Sequence, residues 1–159
     1  MKVNIGILGL GYVGLPLAIS LQKHFKISAY DSDTKKIKEL SNNFDRNEQF
    51  TKSDLIKTSN INYFENINSL KSCNVFIIAV PTPVNKKNIP DLSILKKATL
   101  DVCKIISKND TVIYESTVYP GVTEDICVPL IENKTNLKFN RDFFCGYSPE
   151  RINPGDIIR

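Results

Sequence analysis

Gly9, Gly11 and Gly14 follow a short apolar run and open a helical pattern, and Asp31 stands 22 residues beyond Gly9. Each glycine has its own task in this spacing. Gly9 permits a tight strand-to-helix turn, Gly11 lets a pyrophosphate approach the backbone, and Gly14 lets helix and strand pack closely. The helix N-terminus then offers unpaired N–H groups and a partial positive charge to phosphates. An acid at the end of the second strand accepts hydrogen bonds from an adenosine ribose and repels a 2′-phosphate. The turn from Gly9 to Gly14, with Tyr12 and Val13 between its glycines, is therefore the expected cradle of a dinucleotide, NAD rather than NADP.

Three further segments could carry chemistry: Val80-Pro81-Thr82-Pro83, Glu115-Ser116-Thr117-Val118-Tyr119-Pro120-Gly121 and Gly146-Tyr147-Ser148-Pro149-Glu150-Arg151. Taken singly, their prolines terminate strands and their hydroxyls cap turns. Together they leave the C-terminal ends of three predicted strands, the edge at which sheets of this kind bind ligands.

The elements that must position these residues alternate along the chain. Val3 to Leu8 is continuously apolar, as in a strand buried on both faces. Leu15, Leu17, Ala18 and Leu21 recur on a helical face, Ile27 to Tyr30 forms a second strand, and Ser32 or Asp33 caps a helix running to Leu40. Residues 42–72 are polar and Asn-rich, with a weak helical piece over Asp54 to Lys57 and a short strand over Ile61 to Phe64. Val75 to Val80 is a strong strand stopped by Pro81. Asp91 caps a helix carrying Leu95, Ala98, Val102 and Ile105, Thr111 to Tyr114 is the next strand, and Gly121 precedes a helix through Ile131. Phe143 to Tyr147 is the last strand. This order predicts an α/β fold, a Rossmann-type doubly wound, mostly parallel sheet with helices on both faces.

Composition narrows the class. The chain has 159 residues, 42% hydrophobic and 24% charged, with a mild net charge of +4. The pairs Lys35-Lys36, Lys86-Lys87 and Lys96-Lys97 are scattered rather than gathered into a stripe, so no nucleic-acid partner is expected. No run approaches the roughly 20 apolar residues of a membrane span. The N-terminal apolar run is explained by its glycines rather than as a leader, and a cytoplasmic location is expected. Cys73, Cys103, Cys127 and Cys145 form no Cys-x-x-Cys pair and have no histidine cluster, so no metal site is expected. The lone His24 closes a helix and reads as a surface residue.

GLGYVGLPLA, AVPTPV, YESTVYPG and GYSPERINPGD, in that order, resemble the N-terminal NAD-binding domain of the UDP-glucose/GDP-mannose dehydrogenase family over essentially the whole chain. The ESTVYPG and SPERINPGD wording is most similar to the branch acting on UDP-N-acetylglucosamine or UDP-N-acetylgalactosamine in bacterial surface-polysaccharide and capsule synthesis. The resemblance implies oxidation of the sugar C6 alcohol to a carboxylate in two steps, with two NAD and a covalent thiohemiacetal on a cysteine. It further implies that Asp31 and Lys36 hold the adenosine ribose and that Val80, Pro81 and Thr82 line the dinucleotide. Thr117 would sit beside the nicotinamide, and Glu150 would orient or deprotonate a water near C6.

Two departures shape the expectation. The family's nucleophilic cysteine follows a glycine-rich loop in a second domain, and none of the four cysteines matches it. Residues 1–159 are thus expected to be one Rossmann domain of a larger enzyme, without the central helix and substrate domain, able to bind NAD but inactive alone. The full-length enzyme is expected to be a homodimer, and the chain by itself a monomer or weakly associated. Secondly, UDP-glucose-specific members carry another acid after Ser-Pro-Glu, where this chain has Asn153-Pro154, which favours an N-acetylhexosamine. Alternative readings are UDP-glucose 6-dehydrogenase and a free-standing regulatory dinucleotide module, which has no need of the Thr117 and Glu150 segments. A 3-hydroxyacyl or 6-phosphogluconate type of dehydrogenase shares the glycines but leaves Ser-Pro-Glu-Arg unexplained.

Overall fold

Six short strands, β1 (Ile5–Leu8), β2 (Ile27–Tyr30), β3 (Ile61–Phe64), β4 (Val75–Ile78), β5 (Asp110–Tyr114) and β6 (Phe143–Tyr147), form one sheet. The structure is a computed structural model that describes residues 2–84 and 89–148. The strand order is β3-β2-β1-β4-β5-β6, and every pair is parallel. The chain winds outward from β1 in one direction and then from β4 in the other, so the order reverses between β1 and β4. That switch opens a crevice at the C-terminal ends of the two strands.

Period-two alternation sorts side chains onto the two faces. Ile5 and Ile7 of β1, Ile27 and Ala29 of β2 and Ile77 of β4 pack with Leu15 and Ala18 of α1 (Gly14–Leu21), Ile37 and Leu40 of α2 (Thr34–Ser41) and Leu55 of α3 (Lys52–Ile56). Leu8, Phe76, Ile78, Val112 and Tyr114 face the other way, against Leu95, Ala98 and Val102 of α4 (Ser93–Cys103) and Val128 and Ile131 of α5 (Val128–Thr135). All four residues of β1 are buried, as its apolar run predicts for a central parallel strand.

The element types follow the sequence reading, and the boundaries depart from it where a local group decides. Asp33 caps α2, accepting from the N–H groups of Lys35 and Lys36. The segment after Gly121 is not one helix to Ile131. It makes wide π-type turns over Val122–Cys127 and then becomes α5. Pro129, which has no N–H to donate, stands in the first turn of α5 and accounts for the change of hydrogen-bond pattern there. The strand expected to reach Val80 ends at Ile78: Ala79 N still donates to Leu8 O of β1, but Val80 O accepts from the Ser116 hydroxyl rather than from a strand.

Candidate functional site

The crevice between the ends of β1 and β4 widens into a groove of about 590 Å³. Its floor is the glycine turn. Gly9 has a left-handed φ of 92° and donates its N–H to Tyr30 O at 2.9 Å, which ties the turn to the end of β2. A β-carbon on Gly14 would lie 1.8 Å from Gly9 O, so helix α1 can approach the turn only without one. Gly11 is the opposite case: a β-carbon there meets no atom within 4 Å, because it would project into open space. The N-cap of α1, Val13, supplies no side-chain cap. Leu15 N donates to Gly11 O and Pro16 has no N–H, so among the described residues the N–H groups of Val13 and Gly14 are the ones left for an outside acceptor, which suits an anion.

Asp31 sits at the end of β2 with 7% exposure. Its Oδ2 accepts from Leu10 N at 2.8 Å and from Lys36 Nζ at 2.7 Å, and its Oδ1 accepts from Asp33 N at 2.9 Å. A carboxylate has about four acceptor positions, so one remains, on Oδ1. Asp31 is thus both a structural tie on the glycine turn and an acceptor at the groove wall. Lys36, a partner of Asp31 in an ion pair, lines the same wall.

The roof comes from the loops after β4 and β5. Ser116, 5% exposed, donates its hydroxyl to Val80 O at 2.6 Å, and Thr82 Oγ1 donates to Thr117 O at 2.5 Å. The loop after β5 also meets the end of β6, where the Tyr147 hydroxyl donates to Val118 O at 3.2 Å. The far wall of the groove is apolar with a charged rim: Tyr30, then Ile94, Lys97, Ala98 and Asp101 on one side of α4. Burial, followed by the nearby Asp101 carboxylate, pushes the Tyr30 phenol above its ordinary 10.0.

Of the residues singled out from sequence, Gly9, Gly11, Tyr12, Val13, Asp31, Lys36, Val80, Pro81, Thr82 and Thr117 line this one groove. Gly14 lies beneath it. Glu150 lies outside the described residues. Sequence reading missed the α4 wall, whose residues look like ordinary helix surface, and Ser116, whose buried hydroxyl is one of several in a hydroxyl-rich motif. It also missed Gln49, which reaches the glycine turn from a loop 37 residues away. Among the described residues there is no cluster of three His, Cys, Asp or Glu side chains able to hold a metal, and no helix is long and apolar enough to cross a membrane.

The cysteines do not form a reactive centre. All four are unpaired, and desolvation by burial raises the thiols of Cys73 and Cys127 and pushes Cys103 up to about 11 and Cys145 up to about 12. Thiolate chemistry needs the opposite shift.

A six-stranded parallel sheet in this order, with an anion-ready glycine turn and an acid at the end of β2, defines a dinucleotide-binding domain. The open space over Gly11 and the unused position on Asp31 fit NAD. Residues 3–159 match the family described as the UDP-glucose/GDP-mannose dehydrogenase family, NAD binding domain, and the chain belongs to that family as its NAD-binding domain. It is similar to Protein CapL of Staphylococcus aureus, at 51% identity over 99% of this chain and 37% of that protein. It is also similar to the UDP-N-acetyl-D-glucosamine 6-dehydrogenase of Pseudomonas aeruginosa, at 46% identity over 97% of this chain and 36% of that enzyme. Among solved structures, a UDP-D-ManNAc dehydrogenase from Pyrococcus horikoshii superposes with a TM-score of 0.89 at 36% identity, covering 98% of this chain and 38% of that one. The chain thus spans little more than a third of the length of these relatives.

Proposed function

We propose that this chain is the NAD-binding half of a nucleotide-sugar 6-dehydrogenase that oxidises the C6 alcohol of a UDP-N-acetylhexosamine to the carboxylate, for surface-polysaccharide synthesis. The observation that carries the reading is the groove itself, where an open Gly11, an uncapped α1 and Asp31 converge at the switch between β1 and β4. The substrate class is supported by 46% identity to the UDP-N-acetyl-D-glucosamine 6-dehydrogenases of Pseudomonas aeruginosa and Salmonella typhi.

In this reading the N–H groups at the start of α1 hold the cofactor diphosphate, and Asp31 accepts one ribose hydroxyl with Lys36 beside it. The wall of Tyr30, Ile94 and Ala98 packs the adenine. NAD, when bound, supplies the hydride acceptor. The cross-bonded loops at Thr82 and Thr117 hold the nicotinamide end and shed water from it, and Thr117 lies nearest the reacting carbon. Glu150, which follows β6 in sequence, is assigned the water that enters at C6. The second, aldehyde-oxidising step needs an activated thiolate. With all four thiols of this chain raised, that group comes from the substrate domain of the full-length enzyme.

The test is NADH formation by the enzyme that contains this chain, with UDP-N-acetylglucosamine, UDP-N-acetylgalactosamine and UDP-glucose offered separately. Turnover of an N-acetylhexosamine well ahead of UDP-glucose is expected, and exclusive use of UDP-glucose would overturn the substrate assignment. In the same enzyme Glu150→Gln should depress kcat far more than NAD affinity, since a water-activating carboxylate acts mainly in the transition state.

A further inference from the structure

Residues 42–52 read as a polar connector, yet the loop is built with care. Asp45, 6% exposed, accepts from the backbone N–H groups of Asn47 at 3.0 Å, Gln49 at 3.0 Å and Phe50 at 3.3 Å. Asn43 and Glu48 take left-handed φ values of 58° and 55°, and Phe50 packs on the core beneath α1 and α2. Thus folded, the loop carries the Gln49 side chain to the glycine turn, where Nε2 donates to Tyr12 O at 3.2 Å.

Tyr12 O has a particular need of that donor. In the opening turn of α1, Leu15 N donates to Gly11 O and Leu17 N donates to Val13 O. The corresponding donor for Tyr12 O belongs to residue 16, which is Pro16 and has no N–H. The Gln49 amide fills the gap in the ladder. Its own Oε1 is buried without a partner, so the position carries the penalty of an orphaned acceptor while supplying the donor. A peptide unit is planar, so fixing the Tyr12 carbonyl fixes the Val13 N–H on the far side of the same plane. Val13 lines the groove, and among the described residues no acceptor takes its N–H.

We infer that Gln49 is a positioning residue for the cofactor diphosphate: it replaces the N–H missing at Pro16 and so aims the Tyr12–Val13 peptide at the bound anion. The inference rests on the groove being the NAD site. Removing one neutral hydrogen bond corresponds to about three- to tenfold in affinity. Calorimetry on Gln49→Met should therefore show NAD and ADP-ribose weakened by that factor, with adenosine, which has no phosphate, bound as before. Thermal stability should stay near that of wild type, because the lost bond lies in an exposed turn and the orphaned Oε1 is removed with it. Gln49→Ala serves as a second variant with the same expectation for the three ligands. Adding Pro16→Ala to Gln49→Met returns an N–H to the ladder and should restore NAD affinity, which a merely structural role for Gln49 would not predict. Unchanged NAD affinity in both Gln49 variants, equal loss for adenosine, or no rescue by Pro16→Ala would overturn the role of Gln49. Absence of NAD binding by the wild-type chain would instead remove the reading of the groove.

Discussion

The two halves of the sheet's C-terminal edge use polar side chains in opposite ways. Beside the ends of β1 and β2, Asp31 from the groove wall and Gln49 from the loop before α3 hold the backbone of the glycine turn, at Leu10 N and Tyr12 O, while the N–H groups of Val13 and Gly14 take no acceptor among the described residues. At the ends of β4, β5 and β6, the hydroxyls of Ser116, Thr82 and Tyr147 are spent on carbonyls of neighbouring loops, Val80 O, Thr117 O and Val118 O. The first half is a prepared anion cradle. The second is a set of loops laced to one another, so a hydroxyl-rich motif there marks cohesion as much as chemistry.

The glycines give the sharpest way to break this comparison. Gly14→Ala places a carbon 1.8 Å from Gly9 O, which α1 can avoid only by moving off the sheet. The variant is expected to lose a large part of its thermal stability together with NAD binding, since overpacking against rigid backbone costs about 1–3 kcal/mol or more. Gly11→Val, with open space at its β-carbon, should melt within about 2 °C of wild type. It should nevertheless bind no NAD, because the side chain takes the place of the diphosphate. Wild-type affinity in Gly11→Val would make the motif an ordinary turn.

On the other half of the edge the expected effects are smaller and fall on stability. Ser116→Ala leaves the half-buried Val80 carbonyl without its donor and should cost about 1 kcal/mol in denaturant unfolding. If stability is unchanged, the loops after β4 and β5 are held by something other than this bond.

The smallest effect concerns acid, at the turn into β6. Asp142 accepts from the Arg141 side chain and from Lys138 N, and these contacts, with Lys108 adding to them, hold its carboxyl well below the ordinary 3.8. A carboxyl whose pKa is lower in the folded state binds protons more readily when unfolded. Its contribution is therefore present above about pH 3.8 and is lost as the pH falls through that value toward the folded pKa. Thermal melts of wild type and Asp142→Asn should differ at neutral pH and converge in acid, and a constant difference down to low pH would refute the linkage.

Much of this architecture is legible in the sequence because it is local. The spacing of Gly9, Gly11, Gly14 and Asp31 encodes a turn, a helix start and a strand end that are consecutive in the chain, and the continuous apolar runs of β1 and β4 mark central strands. What escaped is non-local. The partnership of Gln49 with Tyr12 depends on a loop shaped by the buried Asp45, and nothing in residues 42–52 has a period to announce it. The π-type turns over Val122–Cys127 arise from the backbone gap at Pro129, which pattern reading absorbs into a single helix. The α4 wall at Ala98 and Asp101 shares its heptad-like spacing with any amphipathic helix, and only the placement of α4 beside Tyr30 turns it toward the groove. The spacing of Asp31 predicts a ribose acceptor that repels a 2′-phosphate, whereas in the structure most of its acceptor capacity holds the protein together.

Cofactor choice at Asp31 is the most direct test of the groove. Calorimetric titration of the chain with NAD and with NADP is the measurement. A buried carboxylate at the ribose position should favour NAD by on the order of tenfold or more, the scale of one charged hydrogen bond. Equal affinity for the two nucleotides, or tighter binding of NADP to Lys36, would contradict the reading of this groove.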